Sequence, residues 1–139
     1  ICMEIRNIVF KAKRIDNGEW VEGDLEHTKY DDVIWIVDVR GEKCYRCDSD
    51  TICQYTGLTD KNGEKIWEND IVECNKRKEE CGLYKVIWRK EYADFGVVPI
   101  SNTCIGQYPI GFSYGKTLHG RDYKSVGNIF DNPELLEVE

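Results

Sequence analysis

Clusters of turn-forming residues recur about every 10–15 positions along the chain, and the stretches between them carry the β-branched and aromatic residues of short strands. Residues 5–15 (IRNIVFKAKRI) alternate in part and stop at Asp16-Asn17-Gly18. An Asn-Gly pair supplies the positive φ values of a tight hairpin, so residues 19–28 are expected to fold back as the second strand. The run VIWIVDV (33–39) has strand length and is apolar almost throughout, the pattern of a strand buried on both faces. Gly41 turns the chain into an extended stretch over 43–54. Asp60-Lys61-Asn62-Gly63 is a second hairpin turn, leading into a strand over 65–74.

Farther on, residues 82–90 (GLYKVIWRK) place Leu83, Lys85, Ile87 and Arg89 on one face and Tyr84, Val86 and Trp88 on the other. Residues 94–100 continue in this style, 106–120 form a Gly-rich aromatic loop, and 125–130 are a further strand. Asn132-Pro133 then offers a cap and a first-turn proline for a short helical turn. No stretch of ten or more residues has helical periodicity, although 20–30 and 63–70 leave room for a turn or two. The expected class is mainly β, with some α+β character.

With 139 residues, of which 41% are hydrophobic and 12% aromatic, the chain can bury a core as one domain or two small ones. Its net charge of -7 repels nucleic acid and anionic membrane at long range. The charge is uneven. Residues 82–124 hold six basic and three acidic side chains, against ten and sixteen in residues 1–70. No apolar run reaches the roughly 18 residues of a membrane span. The opening lacks the basic-then-apolar layout of a signal peptide. Seven cysteines without a framework suit a reducing compartment, so the cytoplasm is expected, with no membrane partner.

The chemical motifs are weak. Gly111-Phe112-Ser113-Tyr114-Gly115-Lys116-Thr117 resembles a phosphate-binding loop but is one residue short between its glycines, and no good helix follows. Cys44-Tyr45-Arg46-Cys47 has zinc-knuckle spacing, but Cys74 and Cys81 lie too far apart to make a second close pair, and His27 and His119 fit no ligand pattern. Asp48 and Asp50 oppose the lowered thiol pKa that a redox Cys pair needs. Asp31-Asp32 and Glu79-Glu80 read as solvated turns. With two histidines in the chain, the commonest general base is nearly absent. Neither a catalytic residue, a cofactor nor a metal is expected. The positive feature is a crowd of aromatics in the locally basic 82–124 region. Trp88, Tyr92, Phe95, Tyr108, Phe112 and Tyr114 are the candidate partner-binding residues.

Two longer motifs carry a family resemblance. Gln54-Tyr55-Thr56-Gly57-Leu58 runs on through TDKNGEKIWENDIVEC to Cys74, and Ser125-Val126-Gly127-Asn128-Ile129-Phe130-Asp131-Asn132-Pro133-Glu134-Leu135-Leu136 closes the chain. With the Gly82–Val97 stretch between them and EIRNIVFKAKR (4–14) as an opening strand, the sequence resembles the YopX family of bacteriophages and prophages. Asn69 departs from the glycine usual before Asp70, yet asparagine also tolerates positive φ.

The resemblance implies an SH3-like barrel in the C-terminal half (residues 55–139), a β-rich N-terminal part (1–54) and a short C-terminal helical turn. It implies no established activity, and the motif residues themselves read as turn, cap and close-approach positions. The function expected is a phage or prophage accessory protein of the host cytoplasm, a non-catalytic module binding a protein or a second copy of itself. The alternative is nucleic-acid binding through the aromatic and basic 82–124 region. An enzyme is the third and weakest reading.

Overall fold

The computed structural model describes residues 6–28, 32–38, 40–74, 82–100 and 115–136. They form eleven strands: β1 (Phe10–Lys13), β2 (Trp20–His27), β3 (Ile34–Asp38), β4 (Cys44–Cys47), β5 (Cys53–Thr59), β6 (Lys65–Trp67), β7 (Asp70–Cys74), β8 (Gly82–Arg89), β9 (Asp94–Pro99), β10 (Lys116–Thr117) and β11 (Tyr123–Asn128). Short 3-10 turns lie at Ser49–Thr51, Gly120–Asp122 and Pro133–Leu136. The fold is mainly β. One sheet has the order β4-β3-β2-β1-β5-β6 and the other β10-β9-β8-β7-β11. The chain divides into two compact units at Gly57, within β5.

In the first unit, Gly18 takes φ 72° and turns β1 back into β2, with Lys13 opposite Trp20 and Phe10 opposite Gly23. Alternation then sends Ala12, Ile34, Ile36 and Cys47 into one apolar cluster, with Phe10, Val21, Leu25, Tyr45 and Ile52 packed around it. A single sheet face cannot bury itself if flat. Here the sheet curls until β4 meets the end of β1. Arg14 bridges Cys47, Ile15 N–H donates to the Arg46 carbonyl (3.0 Å), and Asp48 N–H donates to that of Lys13 (2.8 Å). Thr51 Oγ1 accepts from Lys13 N–H at 2.9 Å, so β4, the Ser49–Thr51 turn and β5 all run along the same edge of β1.

The second unit is built on the β8–β9 hairpin. Val72, Cys74, Tyr84, Val86, Val97, Leu118, Tyr123 and Ile66 form its core, with the Tyr84 and Tyr123 rings edge-to-face at 5.8 Å. Its edge strand β11 is covered by the Asp60–Glu64 turn. Lys61 N–H donates to the Tyr123 carbonyl and Ser125 N–H to Asp60 Oδ2, both at 2.9 Å. Such cover removes the open edge on which another chain could pair. β11 also shifts register between Ser125 and Gly127, a bulge that bends it. Gly127 is required there, because a Cβ would lie 2.4 Å from Asn132 Oδ1, whose acceptor holds Asn128 N–H.

Several expectations need correction. β3 is not buried on both faces: Ile34 and Ile36 are buried, but Trp35 between them is 37% exposed. Residues 65–74 are two strands, because Asn69 at φ 70° turns the chain between β6 and β7. Residues 20–27 are strand throughout. The 106–120 loop yields β10 and a buried Leu118 in its described part. The second sheet is open among the described residues, with β10 and β11 as its edges, so its strand order does not close a barrel.

Candidate functional site

The candidate aromatics that can be placed lie at one end of the β8–β9 hairpin, where Trp88 pairs with Phe95 and Arg89 with Asp94 across the strands. Alternation separates the two pairs. Trp88 and Phe95 share the face of Tyr84, Val86 and Val97, their rings edge-to-face at 5.1 Å. Phe95 packs against the core, whereas Trp88 is 48% exposed and extends that apolar face into solvent. Tyr92, 58% exposed in the turn, stacks on the Arg89 guanidinium at 4.2 Å, on the opposite face of the hairpin. Trp88 and Phe95 are thus brought together and Tyr92 is held apart from them. Tyr108, Phe112 and Tyr114 lie outside the described residues.

Arg89, on the face opposite Tyr84, Val86 and Trp88 as alternation predicts, is buried. It lies over Gly96, where an added Cβ would meet its Cδ and Nε at 2.6 Å. From there Nε and Nη2 each donate to an Asp94 carboxylate oxygen at 2.7 Å, Nη1 donates to the Gly115 carbonyl at 3.2 Å, and Nη2 reaches Thr117 Oγ1 at 2.9 Å. Hydrogen bonding from Arg89 holds the Asp94 carboxyl below the usual range, and Asp94 in turn raises Arg89. The group is a latch that ties β10 to the hairpin. The lone signal for it in the sequence is an Arg and an Asp facing each other across a four-residue turn.

This placement bears on the local positive charge. Arg89 is spent on Asp94, and Lys116 lies over the Tyr84 ring at 5.2 Å. Lys124 faces Glu73 across the strands. Lys90 and Arg121 are exposed on separate turns. Lys116 and Thr117, the end of the phosphate-loop look-alike, are strand residues with these structural engagements.

The buried carboxylates are engaged in the same way. Burial disfavours the charged form of Asp60, yet backbone N–H groups of Ser125, Glu64 and Asn62 and the charge of Lys124 keep its carboxyl below the usual range. Asp70 Oδ2 accepts from Trp67 N–H at 2.9 Å and from Ser125 Oγ at 3.4 Å. In the first unit, Cys44 is exposed and Cys47 is buried on the other face of β4, so that pair cannot converge on one ion, and burial pushes the Cys47 thiol up. Among the described residues no group of three or more His, Cys, Asp and Glu is placed to hold a metal. None of their helices is long and apolar enough to cross a membrane.

These details sit on motifs that the whole sequence shares with known proteins. The profile of the family described as YopX protein matches residues 9–137. The chain belongs to the YopX family. Among solved structures, it is similar to protein EF1440 from Enterococcus faecalis, with a TM-score of 0.50 and 21% identity over 94% of this chain and 99% of that one. That similarity concerns the fold. No match was found among curated proteins. The YopX motif residues have structural duties here: Asn62 and Gly63 shape the Asp60 turn, Asp70 holds Trp67 N–H, and Asn132 holds Asn128 N–H.

Proposed function

We propose that this YopX protein is a phage or prophage accessory module of the host cytoplasm that works by binding a protein or a second copy of itself, without catalysis. Its contact would be the exposed end of the β8–β9 hairpin, with Trp88 as the anchor, Phe95 behind it and Tyr92 on the flank. Tyr108, Phe112 and Tyr114 are further partner-binding candidates by sequence alone. The observation that carries this reading is Trp88, a large aromatic 48% exposed at the end of a core face. Exposed aromatics of this kind are enriched among the anchors of protein interfaces. On this reading the second unit is an SH3-like module, supported by its short strands and the bulge that bends β11. The nucleic-acid alternative is weakened, because Arg89 and Lys116 are engaged within the protein.

Native mass spectrometry of wild type and Trp88→Ala tests the proposal. A discrete homo-oligomer or a retained protein that is lost in the variant supports it. A wild-type monomer that retains no protein, or one carrying an oligonucleotide or zinc, overturns it.

A further inference from the structure

The outward face of the first unit's sheet carries two tryptophans in contrasting settings, Trp20 half-buried and Trp35 exposed. Alternation and register place Trp20, Glu22, Asp24 and Glu26 of β2 on this face, with Lys11 and Lys13 of β1 beside the first two and Trp35 of β3 beside the last. The opposite face holds the apolar cluster around Ala12, Ile34 and Ile36. At one end the Trp20 ring is served by the protein's own cations, with Lys11 Nζ 4.6 Å and Lys13 Nζ 5.4 Å from its centroid. At the other end Trp35 is 37% exposed, with the exposed carboxylates of Asp24 and Glu26 alongside. Among the described residues no cation stacks on it. Arg46, its register partner on the other side, is also exposed.

We propose that this face docks an extended Lys/Arg-bearing segment of another protein, with one cation over the Trp35 indole and others on Glu26 and Asp24. What Lys11 and Lys13 do for Trp20, the partner's cations do for Trp35. An exposed indole beside two carboxylates attracts a cation both through its ring face and through their charge. Glu22, Asp24 and Glu26 stand two residues apart along β2, at intervals of about 7 Å. That interval matches alternate side chains of an extended peptide, so a segment with a cation at every second position fits best. Lys11, Lys13 and Arg46 balance these carboxylates over the face as a whole, so it is the charge of the entire chain that argues against the other occupants. A second copy of a chain with net charge -7, a nucleic acid or an anionic membrane would each meet repulsion from it. The docking face belongs to the first unit, and its assignment does not rest on the Trp88 contact.

The test is calorimetric titration at physiological salt with a hexapeptide alternating lysine and threonine. A block peptide with its three lysines consecutive and a glutamate–threonine peptide serve as controls. The alternating peptide is expected to bind more tightly than the block peptide, and the acidic one not at all. Trp35→Ala should weaken binding roughly fivefold, while Trp35→Phe, which keeps a ring, should weaken it less. Glu26→Gln should weaken it roughly threefold, and Glu42→Gln, the same charge change in the β3–β4 turn, by less than about twofold. Trp88→Ala should leave peptide binding unchanged, which separates this inference from the proposal above. An unchanged thermal midpoint in each variant confirms that the fold is kept. Absence of binding, equal losses for Glu26→Gln and Glu42→Gln, or tighter binding of an oligonucleotide than of the peptide would overturn the proposal.

Discussion

The two units are stabilised by different physics. In the first, the fully buried side chains are almost all apolar, with Thr51 the one buried polar side chain among its described residues. The second buries Asp60, Asp70, Arg89 and Asn128, each of them hydrogen-bonded. A curled sheet can enclose an apolar cluster through its own backbone pairing, as β4 does by meeting β1. An open sheet whose edges must be covered by turns needs directional groups to fix those turns, and buried carboxylates and amides supply them. The cost is exposure to the consequences of leaving such a group unpaired. The difference teaches where substitutions and acid should act on this protein.

Asp60→Ala should have the largest effect. It leaves three backbone N–H groups without their acceptor and uncovers β11, at a cost of about 4 kcal/mol. Hydrogen exchange should quicken at Asn62, Glu64 and Ser125 and leave β1–β4 unchanged. Equal acceleration in both units would show that they unfold as one and would break the comparison. Asp60 also sets the sign of a pH effect. Its folded carboxyl is held below the usual value, as is that of Asp94. Their stabilisation is therefore present above the unfolded value of about 4 and is lost as pH falls through the lower folded values. Exchange of β11 and β10 should accelerate first as pH drops below about 4, and in Asp60→Ala the β11 part of that dependence should vanish.

Ile36→Ala gives the matching measure for the first unit. Removing a fully buried aliphatic side chain should cost about 3 kcal/mol through the cavity left behind, seen as a lower denaturant midpoint. This cost should be the same at pH 4 and pH 7. Arg89→Met comes next. It strands Asp94, which is 31% exposed at its side chain, so water offsets part of the loss and about 2 kcal/mol is expected. Arg89→Met combined with Asp94→Leu should restore most of it. If the double variant is no better than the single, the latch matters through Gly115 and Thr117 and not through the ion pair.

The smallest effect concerns the β6–β7 turn. Asn69→Ala should cost about 1 kcal/mol in chemical denaturation, because alanine tolerates φ 70° poorly, while Asn69→Gly should be close to neutral.

What could be read from the sequence was local. Asn17-Gly18 and Asn62-Gly63 announced their turns because only a few residue types accept positive φ, and Asn69 kept that ability without being glycine. Alternation over 82–87 placed Tyr84 and Val86 on one face, since a strand repeats every two residues regardless of its partners, and the structure makes that face the core. The two YopX motifs were legible for the same reason, being runs of turn and cap residues. Alternation failed where the surroundings, not the strand, set exposure. Trp88 keeps the core face yet runs past its cover. Arg89 keeps the outward face yet is buried under contacts from β9 and β10. Trp35, in a run apolar enough to suggest burial on both sides, has one face left to water.

The candidate site was half legible in the same sense. The aromatic crowding of residues 82–124 was visible, but which rings meet was not, because the hairpin register decides that Trp88 faces Phe95 and that Tyr92 falls on Arg89. By itself the sequence determined that this is a β protein of the YopX family, with turns at fixed places. Only the tertiary structure decided that Ser125 would meet Asp60 across 65 residues and that Thr51 would meet Lys13 across 38. Turn chemistry is a property of two to four neighbouring residues. Strand pairing at such separations is chosen by the summed burial and hydrogen bonding of the whole chain, and no local pattern encodes that sum.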